Sequence, residues 1–95
     1  MSTANAQTKS ADLADDLVYR RILQTLEPFN QHNVKLTPET DIATELELDS
    51  IAVMDLVMEV EDVYDISFPI NVISEIRTVR ELTEAVHAIK RGEAG

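Results

Sequence analysis

Residues 50–64 read SIAVMDLVMEVEDVY, and their spacing decides the fold. Val53, Leu56, Val57, Val60, Val63 and Tyr64 recur at intervals of three and four, which predicts a helix with one buried face. Asp49 stands just before it, where a short carboxylate accepts the unpaired amides of a first turn. Ser50 then opens the helix with its hydroxyl free for water or for another enzyme. That is a poor place for a core residue and a good place for a handle.

Working outward, a first helix is expected over 12–26. Asp12, Asp15 and Asp16 suit its positive end, and Leu13, Leu17, Val18, Ile22 and Leu26 supply its apolar stripe. Pro28 stops it, because the residue before a proline is disfavoured in helical geometry. The connection over 27–48 is long, yet Phe29, Val34, Leu36, Ile42, Leu46 and Leu48 recur through it. It is therefore expected to lie pinned across the helices, with Thr37-Pro38 opening one turn. Beyond the central helix, Ser67, Phe68 and Pro69 make a bend, and a short helix is expected over 72–76. Thr78-Val79-Arg80-Glu81 matches a capping box opening a last helix, along which Leu82, Val86 and Ile89 form the apolar stripe. Lys90 and Arg91 suit its negative end, and Gly92 ends it. No strand-like alternation competes. The expected fold is all-α, a small bundle of three main helices plus one short helix, with a long loop between helices one and two.

The 95-residue chain is expected to form one domain over 11–91, between a disordered polar tail (1–10) and a flexible end (92–95). Eighteen acidic residues stand against eight basic ones, for a net charge of -10. Between Lys35 and Arg77 no Lys or Arg occurs, while Glu39, Asp41, Glu45, Glu47, Asp49, Asp55, Glu59, Glu61, Asp62, Asp65 and Glu75 all fall there. Such a face repels nucleic acid and anionic membrane and steers cationic protein surfaces toward itself. With no cysteine there is no disulfide framework, no thiolate and no zinc site of the usual kind. The opening MSTANAQTKS holds no apolar run and one lysine, unlike a secretory or organelle-targeting leader, and no stretch approaches membrane-spanning length. A monomeric cytoplasmic protein is expected.

Catalysis finds little support. Ser50 lies outside any G-x-S-x-G elbow, since glycine is absent before position 92. His32 and His87 have no sequence-adjacent partner and read as ordinary surface histidines. Residues 41–49 lack the alternating oxygen ligands around a glycine that calcium requires. Glu61-Asp62 reads as a solvated pair rather than an acid–base couple.

Taken together, Leu46-Glu47-Leu48-Asp49-Ser50-Ile51, Asp55-Leu56-Val57-Met58, Glu61-Asp62, Ile66-Ser67-Phe68-Pro69 and Ile76-Arg77-Thr78-Val79 resemble an acyl carrier protein. The resemblance covers roughly 12–89. It implies a non-enzymatic carrier whose Ser50 bears 4'-phosphopantetheine, transferred from coenzyme A by a phosphopantetheinyl transferase, with acyl groups held as thioesters. It further implies that Asp49 helps the transferase engage. By the same resemblance Asp55, Glu61 and Asp62 face basic patches on that enzyme and on acyl-handling enzymes of fatty acid or lipid biosynthesis. Met54 and Met58 add an adaptable apolar contact or belong to the core. Leu56, Val60, Phe68 and Ile76 line the shelter for an acyl chain, or are simply core. Two residues depart from the pattern of carriers serving fatty acid synthesis, Glu47 in place of glycine and Ile51 in place of leucine. Both adjoin the partner surface and imply a specialised carrier. The alternatives are an aminoacyl or polyketide carrier, and an unmodified acidic helical adaptor.

Overall fold

The structure is a computed structural model that describes residue 13 and residues 15–92. The tail expected over 1–10, and all of the flexible end except Gly92, lie outside the described residues. Among those described, the regular elements are helices, joined by one isolated antiparallel bridge. Helix α1 spans Leu17–Leu26, a 3-10 turn follows over Glu27–Phe29, and a one-turn helix α2 covers Ile42–Glu45. Helix α3 spans Ser50–Tyr64, α4 covers Ile70–Ile73, and α5 spans Val79–Lys90.

The all-α expectation holds, with corrections to its parts. Asp12 lies outside the described residues, but Asp16 has an extended backbone (φ -80°, ψ 120°) and caps α1 instead of sitting inside it. Its carboxylate accepts the Val18 and Tyr19 amides at 2.8 and 3.2 Å. A helix starting there buries Val18, Tyr19, Ile22 and Leu26 and turns Leu17 outward, 76% exposed, against the expected stripe. Val63 likewise lies at the exposed edge of α3. The short helix begins at Ile70, earlier than expected, because the chain enters it directly from Pro69. Helix α2 was not anticipated. The Asp41 carboxylate accepts the Thr44 amide at 3.1 Å, while Glu45 accepts the Asp41 amide at 2.9 Å. That carboxylate pair was the available signal. The capping box of α5 is present as read, with Thr78 and Glu81 accepting reciprocally at 3.1 Å.

The long connection is pinned as expected: Ile42 and Leu46 are buried, and Phe29, Val34, Leu36 and Leu48 pack against the core. It is also stapled to the start of α5 by a pairing that no local pattern announces. Ile42 N–H donates to the Arg77 carbonyl at 2.9 Å, Val79 N–H to Thr40 at 3.1 Å, and Arg80 N–H to Pro38 at 2.8 Å. The Arg80 guanidinium closes the same junction on the Glu39 carboxylate.

Helix α1 packs against α3 and α5. Ile22, Leu26, Leu46, Leu56, Val60, Val79, Leu82 and Val86 form the fully buried centre. Each such side chain contributes about 1.5–3 kcal/mol of transfer free energy. At one end of the bundle His87 Nε2 meets Asp16 Oδ2 at 2.8 Å, tying the last turn of α5 to the cap of α1. His87 is thus a bundle-closing residue rather than an ordinary surface histidine. Exposed His32 lies 3.6 Å from Glu47. Among the described residues no helix is long and apolar enough to cross a membrane.

Candidate functional site

The segment leading to Ser50 is set by the end of α2. Leu48 N–H donates to the Ala43 carbonyl at 2.9 Å and Glu47 N–H to Thr44 at 3.3 Å. With Leu46 as the C-cap, this is the hydrogen-bond pattern of a Schellman motif. Its left-handed position, which favours glycine, is held by Glu47 at φ +55°. The loop therefore keeps a conformation suited to glycine while carrying a glutamate there. Buried Leu46 and half-buried Leu48 anchor it on either side.

Asp49 then caps α3, its Oδ1 accepting the Ala52 amide at 2.8 Å. Ser50 is the first helical residue, exposed, and its hydroxyl forms no hydrogen bond with the described residues. The Ser50 and Ile51 amides, also in the opening turn, have no acceptor among the described residues. Free amides at the positive end of a fifteen-residue helix favour an anion there. The residues present therefore fit a phosphodiester on Ser50: an accessible nucleophilic oxygen, a fixed backbone and unfilled donors.

The outer face of α3 carries Ile51, Met54, Asp55, Met58 and Asp62 at spacings of three and four. Ile51, Met54 and Met58 are 74%, 44% and 57% exposed, so both methionines stand outside the core. Asp55 and Asp62 are exposed beside them, as is Glu47 at the head of the helix. Glu61 departs from this arrangement. It is half-buried, and its Oε2 accepts the Phe68 amide at 2.8 Å, which holds the bend before Pro69. A left-handed Asp65 at φ +55° turns the chain into that bend.

Behind the inner face of α3 lies a cavity of about 80 Å³, roughly half the volume of the 150 Å³ cavity that admits benzene in an engineered core. Val53, Leu56 and Val57 form one wall, with Ile73 and Ile76 opposite and Asp41 and Arg77 at the stapled junction. Leu56 and Ile76 thus line it. Val60 and Phe68 are buried in the core but are not among its walls. The other eight residues lining it, Asp41, Val53 and Val57 among them, were not expected there, because a wall assembled from separate elements leaves no local period. Among the described residues no cluster of His, Asp and Glu could hold a metal ion.

The phosphopantetheine-attachment-site family matches residues 20–86, which is most of the chain. A probable acyl carrier protein from Caulobacter vibrioides is 29% identical over 79 residues, covering 83% of this chain and 92% of that protein. The mitochondrial acyl carrier protein of Saccharomyces cerevisiae is 28% identical over 82 residues, covering 81% of this chain and 66% of that one. No solved structure matches. The chain belongs to the acyl carrier protein family, whose attachment domain bears covalently bound 4'-phosphopantetheine and is not an enzyme.

Proposed function

We propose that this protein carries acyl intermediates on a phosphopantetheine arm attached to Ser50 and delivers them to enzymes of fatty acid or lipid biosynthesis. The observation that carries the reading is the Ser50 hydroxyl at the head of α3, unbonded among the described residues, beside a cap that leaves two amides without an acceptor among them. When attached, the arm supplies a terminal thiol that holds acyl groups as thioesters. Asp49 fixes the first turn with one carboxylate oxygen and presents the other to a phosphopantetheinyl transferase. Ile51, Met54 and Met58 offer that enzyme and the acyl-handling enzymes an apolar strip, flanked by Glu47, Asp55 and Asp62 for their basic patches. Each exposed ion pair contributes only about 0.2–1 kcal/mol, which suits a carrier that must release its partners. Glu61, held by Phe68, shapes the far end of the same surface. The cavity behind α3 shelters a short acyl chain, and Leu56 and Ile76 are its contacts from the expected set.

Glu47 and Ile51 place the departures from the fatty-acid-synthesis pattern directly beside Ser50, which supports a specialised carrier with its own enzymes. The reading includes a monomer in the cytoplasm, the monomer being in line with the strong self-repulsion of a chain of net charge -10. Intact mass after incubation with coenzyme A, magnesium and a promiscuous phosphopantetheinyl transferase tests it. The parent gains one phosphopantetheinyl group and Ser50→Ala gains none. A folded parent that gains nothing points to an acidic adaptor instead.

A further inference from the structure

Two arginines three residues apart flank the entry to α5, and they are used differently. Arg80 is paired with Glu39, and its side chain is only 16% exposed. Arg77 is exposed, lines the cavity behind α3, and has no carboxylate partner among the described residues. The backbone of Arg77 is held on both sides, its amide donating to Glu81 Oε1 at 2.8 Å and its carbonyl accepting from Ile42 at 2.9 Å. The other charged residue lining the cavity, Asp41, has one carboxylate oxygen, Oδ1, accepting the Thr44 amide at 3.1 Å. All remaining walls are apolar.

We propose that Arg77 binds an anionic oxygen group brought to the cavity by the loaded arm. That group is either a carboxylate on a short acyl cargo or the phosphodiester on Ser50. The inference rests on the carrier reading above. A guanidinium offers paired donors that match a carboxylate or a phosphate, and it stays charged at every relevant pH. An anionic cargo is otherwise repelled by this protein, and Arg77 is the first cation after Lys35 to offset that repulsion. The small volume restricts the apolar part of such a cargo to a short chain.

The test compares the parent with Arg77→Gln, each in four forms verified by intact mass: unmodified, bare arm, butyryl and succinyl. Butyryl and succinyl share a four-carbon chain and differ by a carboxylate. If the cargo supplies the anion, succinyl raises the melting temperature of the parent above its butyryl form by roughly 2–4 °C. Arg77→Gln abolishes that gap, and the Arg77 Nε–Hε resonance of the parent moves only in the succinyl form. If the phosphodiester supplies it, the same difference between the two proteins is already present with the bare arm. Equal changes in both proteins across all forms, with an unmoved Nε–Hε resonance, overturn the inference and leave the carrier reading intact. Failure of Ser50 to accept the arm overturns the carrier reading and this inference together.

Discussion

Helices α3 and α4 face the same cavity and are held in very different ways. Helix α3 has fifteen residues, a carboxylate cap at its start and a left-handed turn at its end, and it buries Leu56, Val57 and Val60. Helix α4 has four residues, no side-chain cap and no buried residue, and Ile70 at its start is 83% exposed. A single turn holds few hydrogen bonds against the entropy of ordering it, so α4 depends on the packing of half-buried Val72 and Ile73. The wall that carries Ser50 is therefore the fixed one. Any enlargement of the cavity is expected on the α4 side, where a longer cargo displaces the least buried area.

The largest effect should come from breaking that contrast directly. Leu56→Ala, in the α3 wall, is expected to cost about 2–5 kcal/mol, by loss of transfer free energy and creation of a void. Ile73→Ala, across the cavity in α4, should cost about 1 kcal/mol, because its side chain is only half-buried. Urea midpoints of the two variants measure the difference, and equal losses would show that α4 is as well held as α3.

A smaller effect sharpens the comparison at the approach to Ser50. Glu47 sits at φ +55°, where a side chain is strained and glycine is not. Glu47→Gly should raise stability by about 0.5–1 kcal/mol, whereas Glu47→Ala should gain almost nothing, since alanine keeps the strained Cβ. Matching gains from both variants would place the effect in the lost charge rather than in the backbone.

The smallest effect concerns the clasp between α1 and α5, which bears on α3 only through shared packing. Burial alone would raise the Asp16 carboxyl, but the His87 hydrogen bond and the Tyr19 and Val18 amides together outweigh it, so it lies below its ordinary 3.8. A carboxyl lowered on folding contributes stability that is complete above the unfolded value and lost as pH falls through the folded one. Melting temperatures between about pH 5 and pH 2 should therefore fall less steeply for Asp16→Asn than for the parent. Parallel curves would remove Asp16 from the acid response.

Much of this could be read along the chain. The length and inner face of α3, the Asp49 cap and the Thr78–Glu81 box all depend on groups within four residues of one another, so sequence spacing and geometry coincide. The same locality made Ser50 legible as an exposed residue at a helix start. The start of α1 escaped because three aspartates suit a first turn equally well on charge, and only the backbone of Asp16 selects the cap. Glu61 escaped because its partner, Phe68, lies seven residues on and beyond a reversal of the chain.

By itself, then, the sequence determined an acidic all-α chain, the central helix, its caps and a serine held at its head. Tertiary structure alone decided that Leu17 and Val63 face outward and that the Glu61 carboxylate is engaged inside the molecule. It also brought residues 38–42 against residues 77–80, closing a small cavity and leaving the Arg77 side chain beside it with no carboxylate partner among the described residues. The physical reason is range. Capping and helical periodicity act over one turn, whereas a cavity wall exists only when segments more than thirty residues apart lose their chain entropy together.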